Sequence, residues 1–124
     1  MARSDVLDQI ASPDLAAYFV WVPVLGEDDE SAARRASVLV PDSRAGHYWA
    51  PTESTAWAFQ AALPLVDEFA WDVYLVYDRG IEWTGANPPA PTYYMHQLVG
   101  RLPEGRMLDG PRLRQEILES VNSR

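Results

Sequence analysis

The run Ala17-Tyr18-Phe19-Val20-Trp21-Val22 constrains the fold more than any other stretch of this chain. It is continuously apolar and rich in β-branched and aromatic side chains. It is also far shorter than the ~20 residues needed to cross a bilayer. A run of this kind is expected to be a strand covered on both faces, with Pro23 ending it or holding it near an edge. That requirement points to a layered α/β architecture.

The flanking segments fit such a scheme. Ser4 is expected to cap a short first helix with Val6, Leu7 and Ile10 on one face, ending at Ser12-Pro13. After the strand, Gly26 breaks the chain, and Asp28, Asp29 and Glu30 place negative charge at a helix N-terminus. Ala32, Ala36, Leu39 and Val40 keep helical spacing up to Pro41. Gly46 to Pro51 reads as a short aromatic strand or packed loop. Thr52 and Glu53 open a second helix, expected to be largely buried, that carries Ala56, Trp57, Phe59 and Leu63. Val73–Tyr77 and Ile81–Thr84 flank Asp78-Arg79-Gly80, which predicts a β-hairpin. Three prolines make Ala86–Pro91 irregular, and Tyr93–Val99 can extend again. Asp109-Gly110-Pro111 starts a last helix with a stripe of Leu113, Ile117, Leu118 and Val121.

Composition removes whole classes of chemistry. The 124 residues contain no cysteine, which excludes disulfides, thiolate metal sites and thiol nucleophiles. All ten basic residues are arginine, so lysine Schiff-base catalysis is excluded as well. A net charge of -8 repels phosphate backbones and anionic lipids, so neither nucleic acid nor membrane is an expected partner. No signal peptide opens the chain, and the expected location is the cytoplasm. Gly-x-Ser-x-Gly, Gly-x-Gly-x-x-Gly and P-loop patterns are absent, and no cofactor is implied.

The candidate site residues are few. Asp72, between Trp71 and an apolar strand, would gain acid–base character if buried; otherwise it is a strand-end acceptor for backbone N–H groups. His47 and His96, the only histidines, have with Asp72 the ligand types of a two-His, one-carboxylate metal site, but no short spacing. Their bland alternative is a pair of half-buried imidazoles hydrogen-bonded to backbone. Asp67-Glu68 is an adjacent acidic pair of the kind found in solvated turns. Trp49, Trp71 and Trp83 lie at turns and strand ends, where aromatic side chains line pockets or interfaces.

The strings Phe19-Val20-Trp21-Val22-Pro23-Val24-Leu25, His47-Tyr48-Trp49, Ala70-Trp71-Asp72-Val73-Tyr74 and Met95-His96-Gln97-Leu98 are similar to uncharacterised bacterial thioredoxin-like proteins. The resemblance implies one thioredoxin-like three-layer sandwich over residues 1–124. In it Asp5–Ile10 and Ala17–Leu25 are the tail of the βαβ half, and Val73–Thr84 with Pro111–Val121 is the ββα half. Relative to that family the N-terminal strand, the Cys motif and the cis-proline are missing, so no redox residue carries over. The expected function is a redox-inactive binding or interaction module, with Trp49, Trp71, Asp72, Trp83 and His96 as its site and no metal. The alternatives are a small enzyme using Asp72 with His47 or His96, and a truncated thiol oxidoreductase. The absent central strand leaves a gap to be closed by Tyr93–Val99, by a second subunit in a homodimer, or by residues encoded upstream.

Overall fold

A computed structural model describes residues 2–22, 29–50, 52, 54–65 and 70–122. These residues form a mixed α/β structure of short helices and two two-stranded sheets. It begins with a π-helical turn, Ala2–Leu7, closed by the Asp8 N–H donating to the Arg3 carbonyl at 2.7 Å. Val6, Leu7 and Ile10 are buried, as their spacing predicts.

Strand β1 (Ala17–Trp21) pairs in parallel with β2 (Ala45–Trp49), bringing Phe19 opposite His47 and Val20 opposite Tyr48. Parallel neighbours need a crossover, and helix α1 (Glu30–Ser37) lies within it. The Asp29 carboxylate accepts from the Ala32 N–H at 2.6 Å and caps α1. Gly26 and Asp28 of the expected acidic turn, like Pro23, lie outside the described residues. The segment expected to be a short strand or packed loop supplies the full partner strand Ala45–Trp49, so Ala17–Trp21 opens a βαβ unit where the resemblance has it end one. Two other expectations fail here. The helix stops at Ser37, whose hydroxyl donates to the Arg34 carbonyl, and leaves Val38 and Leu39 exposed. The strand is covered on one face only, because Tyr18 and Val20 alternate with half-buried Ala17, Phe19 and Trp21.

Helix α2 (Ser54–Gln60) buries Ala56 but exposes Trp57, so it is a surface helix and not the buried one expected. Glu53 and Asp67-Glu68 lie outside the described residues. Strand β3 (Val73–Val76) has an antiparallel partner, but it is β4 (Tyr93–His96) and not Ile81–Thr84. The tight turn does form, with the Ile81 N–H donating to the Asp78 carbonyl at 3.3 Å and Gly80 at φ 91°. Beyond it Ile81–Thr84 runs exposed. Thr92 claims the vacated ladder position, its N–H donating to the Val76 carbonyl at 2.8 Å. The Tyr77 hydroxyl donates to the Pro89 carbonyl at 2.9 Å and ties down the proline-rich excursion.

The β3–β4 sheet is the covered one. Val73, Leu75 and Tyr94 pack against a cluster of Leu63, Leu65, Ala70, Leu98 and Leu102. Tyr74, Val76, Tyr93 and Met95 face a second cluster with Val6, Ile10 and Leu113. Helix α3 (Gly110–Asn122) supplies that second layer, capped by Asp109 accepting from the Arg112 N–H at 3.1 Å. The N-terminal turn packs on α3 at Gly110, where the Asp5 carboxylate occupies the space a side chain would need. Among the described residues neither sheet pairs with the other.

Candidate functional site

Both histidines are held by hydrogen bonds at both ring nitrogens. His96 is 0% exposed, and its Nδ1 accepts from the Leu98 N–H at 3.0 Å. Nε2 therefore carries the proton and donates to the Pro103 carbonyl at 2.7 Å. The ring ties the end of β4 to the loop that leads to the 3₁₀ turn Glu104–Arg106. His47 repeats the pattern on the other sheet. Its Nδ1 accepts from Trp21 Nε1–H at 3.3 Å, and Nε2 donates to the Val40 carbonyl at 3.2 Å. Its ring stacks on Phe19 at 4.9 Å and lies 6.2 Å from Trp21, nearly parallel to both. Neither imidazole has a lone pair left for a metal or a substrate proton in this arrangement.

Asp72 is exposed and stands in the left-handed region at φ 49°. Its carbonyl accepts from the Gln97 N–H at 2.9 Å, extending the β3–β4 ladder by one bond. The Tyr74 phenol donates to Gln97 Oε1 at 3.0 Å; burial, and then the Asp72 charge, push its pKa up. Among the described residues no three His, Asp or Glu side chains converge as a metal site.

The expected tryptophans separate. Trp49 ends β2 opposite Trp21, whereas Trp71 is half-buried against the leucine cluster. Trp83 is 50% exposed, with its Nε1–H on the Gly85 carbonyl at 2.6 Å and its ring edge-on to Phe59 at 5.5 Å. Trp49, Trp71, Asp72, Trp83 and His96 thus do not form one face. Trp49 belongs to the first sheet, and His96 is internal.

Two features had no clear signal in the sequence. A shallow cleft of about 210 Å³ opens between the sheet end and α3, lined by Asp78, Thr92, Tyr93, Glu116, Glu119 and Ser120. The Ser120 hydroxyl donates to Asp78 across it. The second is the outward face of β1–β2. Tyr18 is 71% and Tyr48 54% exposed, their rings 6.2 Å apart and tilted by 30°, with exposed Val20 beside them. A Cβ at Gly46 would meet the Tyr48 ring at 3.0 Å, so the glycine lets Tyr48 lie down along the sheet. All these positions are uncharged. No protein-family model, no curated protein and no solved structure matches the chain.

Arg44 anchors this sheet to the N-terminal turn. Its guanidinium donates to the Leu7 carbonyl at 2.7 Å, to Ser12 at 3.0 Å and to Ile10, and pairs with Asp42 at 2.8 Å. The Arg44 side chain, and then its backbone N–H, hold the Asp42 carboxyl at about 2, well below its ordinary 3.8.

Proposed function

We propose that this chain is a redox-inactive, thioredoxin-like interaction module that acts by binding a polypeptide through the outward face of β1–β2. The observation that carries this reading is the exposed, uncharged Tyr18–Val20–Tyr48 surface. Large apolar side chains grouped on one face of a sheet mark an interaction site, whereas scattered ones do not. The thioredoxin-like assignment is supported by element order: a parallel βαβ unit is followed by an antiparallel ββα unit. The absence of cysteine supports redox inactivity and fits a cytoplasmic setting. The charge of -8 favours polypeptide over nucleic acid or anionic membrane. An enzyme built on Asp72 with His47 or His96 would have to break the imidazole bonds described above.

The test compares immobilised wild-type protein with a Tyr18→Ser/Tyr48→Ser variant of matched melting behaviour in extract of the source cells. The expected result is polypeptides, including the chain itself, retained by wild type and lost by the variant. Equal retention by both proteins overturns the reading. So does hydrolytic turnover abolished by Asp72→Asn.

A further inference from the structure

We propose that Ser37, the last residue of α1, is a phosphorylation site for a serine kinase that selects arginine-flanked substrates. The inference goes beyond the interaction-module reading and does not depend on it.

The sequence singles out this serine. In Arg34-Arg35-Ala36-Ser37-Val38-Leu39 two arginines stand three and two positions before it, and two apolar residues follow. None of the other Ser or Thr residues has more than one Arg in the three positions before it. Arg34-Arg35 is also the only adjacent pair of basic residues in a chain of net charge -8. Kinases choose substrates largely by charge pattern, and guanidinium groups pair bidentately with the carboxylates of an acidic groove.

The structure leaves this string available. Arg34 pairs with Glu30 at 2.9 Å, but their side chains are 78% and 57% exposed, and a surface pair of this kind is weak. Arg35 reaches the Ser31 hydroxyl at 3.3 Å. Arginines in the last turn also complement the helix dipole, which accounts for their charge. It does not account for Val38 and Leu39, which lie 70% and 66% exposed directly behind the serine. An apolar pocket beside a kinase's catalytic centre has a use for both.

Ser37 is half-buried, and its hydroxyl donates to the Arg34 carbonyl at 2.7 Å. A kinase must draw it out of that turn. Single bonds hold the stretch: the Val40 N–H donates to the Ser37 carbonyl at 3.1 Å, and Arg3 to that of Leu39 at 3.3 Å. Helix α1 has eight residues, and the ends of short helices open at little cost. Once free, Ser37 Oγ attacks the γ-phosphorus of a nucleoside triphosphate. The bond to the bridging oxygen breaks, the nucleoside diphosphate leaves, and the hydroxyl proton passes to the kinase's aspartate. The phosphate takes the donor from the Arg34 carbonyl and puts its charge at the negative end of α1, a placement that unsettles a helix terminus.

The test presents the whole native chain to the catalytic subunit of an arginine-directed serine kinase with radiolabelled ATP. One phosphate per chain is expected, mapped to Ser37 by peptide mass spectrometry and absent from Ser37→Ala of matched circular dichroism. Arg34→Ala and Arg35→Ala should each lower kcat/KM about ten-fold or more, the loss of one charge-assisted contact. Extract of the source cells, with phosphatases blocked, should label the same residue. A native chain that takes no label overturns the proposal even where the urea-unfolded chain is labelled, because the helix end then hides Ser37. Labelling indifferent to both arginines overturns it as well, as does an extract that labels wild type and Ser37→Ala equally.

Discussion

Replacing His96 with alanine tests whether this ring is a structural tie or a chemical group. The imidazole is fully buried and satisfies the Leu98 N–H and the Pro103 carbonyl. Leu98 is 1% exposed, so its orphaned N–H would cost about 1–3 kcal/mol. Pro103 lies at the surface and its carbonyl can recruit water, which limits that loss to about 0.5–1 kcal/mol. The space left by the ring adds about 1–2 kcal/mol. The expected total is about 4 kcal/mol, a large share of the 6–19 kcal/mol (roughly) available to a chain of this size. Urea unfolding should show it as a lower midpoint at unchanged slope, and the melting temperature should fall by about 15 °C. His96→Asn retains an acceptor near the Leu98 N–H and should recover about half of the loss. His96→Phe fills the space without an acceptor and should recover less. A loss below about 1 kcal/mol for His96→Ala would refute the structural assignment and revive the pairing of His96 with Asp72.

Three further outcomes follow from the geometry. The Asp42 carboxyl sits at about 2 in the folded chain against an ordinary 3.8, so its stabilisation is complete above pH 4 and lost as pH falls toward 2; Asp42→Asn should flatten acid denaturation in that window, and an unchanged profile would contradict the Arg44 tie. Asp72 at φ 49° pays a left-handed penalty that Gly avoids and a β-branched side chain worsens. Asp72→Gly should therefore be neutral or up to about 1 kcal/mol stabilising, and Asp72→Val should cost about 1–2 kcal/mol by chemical denaturation; equal effects would deny the strain. The Tyr93 hydroxyl is buried with no hydrogen-bond partner among the described residues, so Tyr93→Phe should raise stability by about 1 kcal/mol; a loss of that size would mean the hydroxyl is bonded after all.

Strand and helix positions were legible where periodicity or capping was strong. The Ala17 run, the Val73 run, the Asp29 cap and the Asp109-led helix all stand where the residue types put them. Strand pairing was less legible. A turn such as Asp78-Arg79-Gly80 encodes a reversal but not which segment takes the ladder, and Thr92–His96 outcompetes the adjacent Ile81–Thr84. Apolar runs also do not say how many faces are covered, which hid the exposure of Tyr18 and Tyr48. The reading of the two histidines as half-buried, backbone-bonded rings holds for the bonds of His96 and for one nitrogen of His47; the Trp21 indole bond to His47 and the full burial of His96 were unforeseen. Arg44 gave no signal, because its partners at Leu7, Ile10 and Ser12 are more than thirty residues away.

The seating of Asp5 against Gly110 has a consequence for synthesis. The second cluster joins Val6 and Ile10 to Met95 and Leu113, so residues 6 and 10 wait for partners about a hundred positions later in the chain. The βαβ unit, by contrast, closes over residues 17–49 and can form early. For about 3–13 s at typical elongation rates, the nascent chain holds a finished parallel pair beside a turn whose Val6 and Ile10 still lack Met95 and Leu113. Such contacts of long sequence separation slow folding and prolong exposure of the apolar turn. A stop codon before Leu113 would leave Val6 and Ile10 without that partner, and chaperones or proteases would meet such a product at the Ala2–Leu7 turn, far in sequence from the lesion.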